Sequence, residues 1–332
     1  MSSSKGNVIL LADAIKEYSA DVVRLFLMAS AEPWQDFDWR EKEVKGTQRR
    51  LEWFREFAQK VEDIKGENLD LSNIEKVALE RSIDKWMINQ LNVHIKAATE
   101  ALEVFQTRQA LQHALFLLKK DLDHYMYRVK DLLDKKDPAV IYVLSTLLSN
   151  WIRLLAPFTP HTSEELWEKF GGEGFVSFAQ WPEYDEELIS EEIERSESLV
   201  QNIVKDINEI RNIVDTDPEK IHIYLSPDWK WDLYKIADEV GKPDIGQIMG
   251  RAIGQNIYDD KKEIAGAAKK ISREMTKTRY IGKIDEATIL NDAKDFIEAE
   301  VESDVIIHTD DSYDPQNKAR NAMPYKPAIF ME

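Results

Sequence analysis

Apolar residues recur at three- and four-residue intervals through most of the first half of the chain, the spacing that lays one stripe along a helix. After a polar start, Val8-Ile9-Leu10-Leu11 leads into a helical pattern over 13–18. A second helix follows Ser19, a suitable N-cap with Asp21 in the first turn, and turns Val22, Val23, Phe26 and Leu27 to one side. Pro33 ends it. A helix is expected over about 41–64, then a loop from Gly66 to Asn73. The next helical stripe is Trp86, Ile88, Leu91, Ile95, Ala98, Leu102 and Phe105, and another is Leu111, Leu115, Leu118, Leu122, Tyr125, Val129 and Leu132. Asp137-Pro138 starts a third, with Val140, Leu144, Leu147, Leu148, Trp151 and Leu155, stopped by Pro157 and Pro160. Thr162 with Glu165 reads as a capping box for a short helix ending at Gly171-Gly172. Short connections between such helices predict an antiparallel bundle.

Beyond an acidic connection at 183–199 the pattern becomes mixed. Ile221 to Leu225 and Asp304 to His308 alternate as strands do, and Ala328 to Met331 reads as a short closing strand. Helices are expected over about 188–214, 228–240, 244–256, 260–277 and 286–301. The fold class is therefore mainly α, ending in a small α/β or α+β domain. The expected divisions are 1–40, a loop with connecting helices; 41–182, the bundle; and 183–332, the mixed domain.

Composition narrows the classes. With no Cys there is no disulfide scaffold and no thiolate metal site. The six His are scattered without ligand-like spacing, so no metal site is expected. No secretory signal is recognised, because Asp13 interrupts the short apolar start. No run approaches the roughly 20 apolar residues of a membrane span. The reading is of a soluble cytoplasmic protein. The net charge of −18 speaks against nucleic acid at first sight. Its distribution is uneven, however. Residues 183–197 hold eight acidic residues against Arg195, while 261–283 hold eight basic residues against Glu263 and Glu274.

Four segments carry a family resemblance. Met1-Ser2-Ser3-Ser4-Lys5-Gly6-Asn7 could bring backbone N–H groups and one ammonium to a polyphosphate. It is similar to the end of the KMSKS loop of class I aminoacyl-tRNA synthetases, with Ser3 in place of the inner lysine. Ala20-Asp21-Val22-Val23-Arg24 resembles the A-D-x-x-R stretch of the same subclass, and Asp36-Phe37-Asp38-Trp39-Arg40 looks leucyl, of archaeal and eukaryotic type. The segment from Leu154 through Ala156-Pro157-Phe158-Thr159-Pro160-His161 to Trp167 resembles one in the helical anticodon-binding domain of synthetases for Leu, Ile and Val. There His161 is expected to pack or cap rather than to catalyse. Ala322 to Glu332 is similar to the tail of archaeal leucyl-tRNA synthetases. No HIGH motif, Rossmann fingerprint or editing domain is found in the chain.

The resemblance implies the C-terminal, tRNA-binding portion of a leucyl enzyme, inactive alone. In the intact enzyme, leucine and ATP with Mg2+ give leucyl-adenylate, and leucine passes to leucine tRNA. It further implies that Lys5, with Met1, Ser2, Ser3, Ser4 and Gly6, serves the triphosphate, that no cofactor is bound by this portion alone, that no membrane is involved and that the full-length enzyme is a monomer. The tRNA candidates are Arg49, Arg50, Lys119, Lys120, Arg128 and Lys130 in the bundle. In the last domain they are Lys262, Lys269, Arg273 and Lys277, placed near one helix face, together with Lys326. Two other readings stay open: a stand-alone tRNA- or RNA-binding module, and a non-catalytic helical interaction protein.

Overall fold

A computed structural model describes residues 9–36, 38–66, 69–214, 217–241, 244–309 and 313–332. Met1 to Gly6, and with them Lys5, lie outside these residues. The chain divides into two compact units, one ending at Ile189 and one running from Ser190 to Glu332.

Among the described residues the first unit contains helices joined by loops and no strand. Helices α1 (Leu11–Tyr18) and α2 (Ala20–Ser30) meet at Ser19, whose hydroxyl accepts from the Val22 N–H. Val22, Val23 and Phe26 are buried together with Val44 and Leu51 of α3 (Glu41–Lys65). Then come α4 (Ser82–Glu103), α5 (Thr107–Leu111), a π-helical stretch at Gln112–Leu117, α6 (Leu118–Arg128), α7 (Lys130–Leu133), α8 (Pro138–Leu155) and α9 (Pro160–Lys169). The single helix expected over 111–132 is thus interrupted. The π stretch contains the carbonyl of Ala114, which accepts from the Trp151 indole N–H at 2.6 Å. Trp151 is fully buried against Trp53, Phe54 and Phe57 of α3. Phe105, expected on the apolar stripe, lies past the end of α4 and is exposed. Helix α8 is the one described helix long and apolar enough to cross a membrane, and it is the buried core helix of the bundle.

The N-terminus of α9 is capped differently from the sequence reading. Thr162 is not its N-cap. It lies inside the helix, buried, and its hydroxyl accepts from Arg55, which also pairs with Glu165 at 3.1 Å. The cap comes from α2. Asp21, itself buried, accepts from the N–H groups of Thr162 at 2.6 Å and His161 at 3.3 Å. One turn on, Arg24 donates twice to the Pro157 carbonyl, at 3.1 and 2.9 Å. Two of the resembling segments are therefore halves of one clasp. The His161 side chain is exposed and does not pack, and only its N–H is capped. After α9 the backbone turns so tightly that a Cβ on Gly172 would sit 2.2 Å from the Trp167 ring, which only glycine allows.

The clasp gives a first expectation. Asp21→Ala leaves two helix-end donors without a partner and should cost about 2 kcal/mol. Urea unfolding measures it. A loss below about 0.5 kcal/mol would show that the cap is replaceable.

In the second unit, α10 (Glu191–Val214) precedes β1 (Lys220–Tyr224), and five helices follow. They are α11 (Asp228–Val240), α12 (Ile245–Gly254), α13 (Lys261–Glu274), α14 (Glu286–Asp292) and α15 (Lys294–Val301). Strand β2 (Asp304–His308), a 3-10 turn at Ala319–Asn321 and β3 (Ala328–Met331) complete it. The sheet order is β2-β1-β3. β1 runs parallel to β2, with Ile221 opposite Val305, and antiparallel to β3, with Tyr224 opposite Ala328. The parallel pair requires a long crossover, which the five helices supply. Ile221 and Ile223 enter the helix-packed core, while Tyr224 clusters with Ala322 and Phe330 on the other side. Both faces of β1 are thus buried.

Candidate nucleic-acid interface

Helix α13 begins at Asp260, whose carboxylate accepts from the N–H groups of Lys262 and Glu263. Ile264, Ala267, Ala268 and Ile271 turn into the core. Lys262, Lys269 and Arg273 are exposed and fall within about 40° of one another at 100° per residue. Lys277 was expected on this face, but α13 ends at Glu274, so Lys277 lies in the following turn, exposed and not held by the helix. None of these four makes an ion pair among the described residues. Two neighbours do: Lys283 pairs with Asp228 at 2.7 Å and Arg279 with Glu191 at 3.4 Å, while Lys270 donates a hydrogen bond to the neutral Asn321 side chain at 3.1 Å.

The bundle candidates divide. Arg49 and Lys120 are exposed. Arg50 lies over the Phe116 ring at 5.0 Å, and Lys119 lies over Trp53 at 4.4 Å while pairing with Asp123 at 2.6 Å. These contacts join α3 to the π stretch and α6, so Arg50 and Lys119 sit on one seam. Arg128 is half-buried near the far end of α6, and Lys130 lies over Tyr127 at 4.8 Å on the next turn. They are not brought together with Lys119. Lys326 is exposed in a tight turn, where its backbone pairs with Met323.

Several groups escaped the sequence reading. Four of the six His residues, scattered in the sequence, form two pairs. His94 meets His113 at 3.2 Å and Asp121 at 2.8 Å. His222 meets His308 at 2.8 Å. Among the described residues no His/Cys/Asp/Glu group could hold a metal ion. Lys230 of α11 is buried, and its ammonium donates to the carbonyls of Arg320 at 2.8 Å and Ala322 at 2.7 Å. Burial, with Lys270 nearby, lowers its pKa to about 8. Its position was detectable, since Lys230 shares the three- and four-residue spacing of the buried Leu233, Tyr234 and Ala237.

Residues 84–222 match the family described as the anticodon-binding domain of tRNA ligase. The first unit is therefore built around a tRNA-ligase anticodon-binding fold, and the match runs on into β1. Along its whole length the chain is 54% identical to a leucine-tRNA ligase of Methanothermobacter thermautotrophicus and 43% identical to one of Pyrococcus furiosus. It covers 35% and 33% of those proteins, about a third of each. A crystal structure of an Agrobacterium radiobacter LeuRS-tRNA-LeuAMS ternary complex is 26% identical over 57% of this chain and 23% of that one, with a TM-score of 0.48. Over its whole length the chain is thus similar to about a third of a leucine-tRNA ligase.

Proposed function

We propose that this chain is the tRNA-binding part of a leucine-tRNA ligase and does not activate leucine by itself. Within the intact enzyme, a cytoplasmic monomer, ATP with Mg2+ would drive formation of leucyl-adenylate and then of leucyl-tRNA. The observation that carries the reading is the cationic row Lys262, Lys269 and Arg273, held exposed on α13 in a chain of net charge −18. A row of cations without ion-pair partners among the described residues is available to phosphates, and such contacts set position and affinity rather than sequence. The exposed Arg49 and Lys120 offer the bundle a second line of backbone contact. Residues 1–40 would connect to the nucleotide site, with Lys5 and the N–H groups of Ser2 to Gly6 on the triphosphate. Residues 41–182 would be the bundle and 183–332 the second tRNA contact.

The test uses the purified chain. It should bind leucine tRNA with strong salt dependence and catalyse no leucine-dependent ATP–pyrophosphate exchange, since positioning of both substrates supplies much of the rate. Measurable exchange would contradict the division of labour.

A further inference from the structure

In the second unit, α11, α13 and the 3-10 turn before β3 enclose a cleft of about 340 Å³. That is the small end of ligand pockets, which run to about 300–1,000 Å³. Lys262, Gly266 and Lys270 line it at four-residue intervals along α13. Arg320 and Asn321 line the opposite wall, and Trp229 and Lys230 close one side. Four cations thus border the cleft, with Glu263 as the carboxylate.

The ammonium of Lys230 is held by two carbonyls, which orient a buried cation without neutralising it. Two of its three hydrogens go to these carbonyls, and the ammonium also lies 5.4 Å from the centroid of the Trp229 ring. Lys270 is anchored by Asn321 at 3.1 Å, so it too is presented in a fixed place. Cations collected in this way repel one another unless an anion joins them. Gly266 adds a separate observation. Glycine weakens a helix relative to alanine, and a Cβ at this position would meet nothing within 4 Å. No packing demands a glycine here, and its effect is to keep the cleft floor open. Trp229 supplies an apolar wall, held by stacking on Tyr258 with ring centroids 4.4 Å apart.

We propose that this cleft is a nucleotide-phosphate site, in which Lys230, Lys270 and Arg320 receive one phosphate group and Trp229 flanks the rest of the nucleotide. The phosphate comes from a free mononucleotide or from a nucleotide within RNA. Only the second source rests on the tRNA-binding reading above.

Calorimetric titration of the whole chain with a 5′-mononucleotide and with a short single-stranded RNA tests this, with inorganic phosphate as competitor. Saturable binding that phosphate displaces is expected. The double variant Lys270→Ala/Arg320→Ala should weaken it about 100-fold, the loss of two charge-assisted contacts. Gly266→Met, which removes no charge, should weaken it by filling the floor. Binding of RNA without the mononucleotide assigns the phosphate to a polynucleotide, and binding of both assigns it to nucleotides generally. Absence of saturable binding to either, or binding unchanged in both variants, overturns the site. The pair Lys269→Ala/Arg273→Ala lies outside the cleft and should leave mononucleotide binding unchanged. Failure of the α13 row as a tRNA contact is thereby told apart from failure of the cleft.

Discussion

Replacing Arg81 by alanine should unfold the bundle more readily than any other single change considered, by about 3 kcal/mol, the lower end of the cost of breaking a buried ion pair. Arg81 precedes α4 and grips two carboxylates. Its Nε donates to Asp84 at 2.7 Å, and its two terminal nitrogens donate to Asp137 at 2.9 and 2.7 Å. Asp84 is fully buried and also accepts from the Tyr125 hydroxyl at 2.7 Å. Asp137 in turn caps α8 through the N–H groups of Ala139 and Val140. One guanidinium therefore ties α4, α6 and the start of α8 together. Removing it leaves a buried carboxylate with only a phenol for company. The guanidinium side chain is 34% exposed, which is why the lower figure applies.

Arg81→Lys should recover only part of the loss, because an ammonium cannot make the forked contact. Arg81 also holds the Asp137 carboxyl down to about 2, from an ordinary 3.8. That contribution is present above about pH 4 and is lost as pH falls through 2. Urea unfolding followed by circular dichroism measures the main effect. A loss below about 1 kcal/mol in Arg81→Ala would show that solvent replaces the clamp.

The second large effect is a pH dependence of the C-terminal unit. Glu286 is buried, and its carboxylate accepts from the N–H groups of Ser226 at 3.3 Å and Tyr325 at 2.8 Å. Burial raises its pKa from 4.5 to about 7, against the two N–H groups and Lys283, which lower it. The folded state therefore binds the proton more tightly than the unfolded one. The stabilisation is complete below about pH 4.5 and is lost as pH rises through 7, a change of up to about 3 kcal/mol. Between pH 5 and 8.5 the unit should lose stability. Glu286→Gln should remove that slope and be the less stable protein only below about pH 5, where its amide N–H, unlike the protonated carboxyl, faces a backbone donor. Amide exchange of peptides from residues 220–332, corrected for the intrinsic rate, reads the effect. An equal slope in the variant would assign the pH dependence to a group other than Glu286.

The sequence showed those features whose physics is local. Ser19 and Asp137-Pro138 cap the helices that follow them, so their positions could be read from neighbours. The alternation in Asp304 to His308 and the apolar run Ala328 to Met331 marked strands that the fold contains. Features made by distant residues were hidden. Asp21 caps a helix 140 residues away, so Thr162 with Glu165 was the better local candidate and was wrong. The π stretch contains a carbonyl bonded by Trp151 from another helix, and no local pattern announces it.

The candidate interface was half legible. A charge reversal on a helical period identified Lys262, Lys269 and Arg273, but nothing in the spacing ended α13 before Lys277. Lys230 was passed over because a lysine on an apolar stripe reads as an exception rather than as a buried cation. Arg50 and Lys119 looked as free as Arg49 and Lys120 until the aromatic rings beneath them were seen.

The central claim, that the α13 row contacts tRNA phosphates, is tested most directly by the salt dependence of binding to leucine tRNA. The wild-type chain and Lys269→Ala/Arg273→Ala should be compared across a range of salt, with circular dichroism showing that the fold is kept. Two lost phosphate contacts should flatten the slope of log affinity against log salt by roughly 1.4 to 1.8 units and weaken binding at low salt. An unchanged slope and affinity in the double variant would contradict the account and leave the row a solvated helix face.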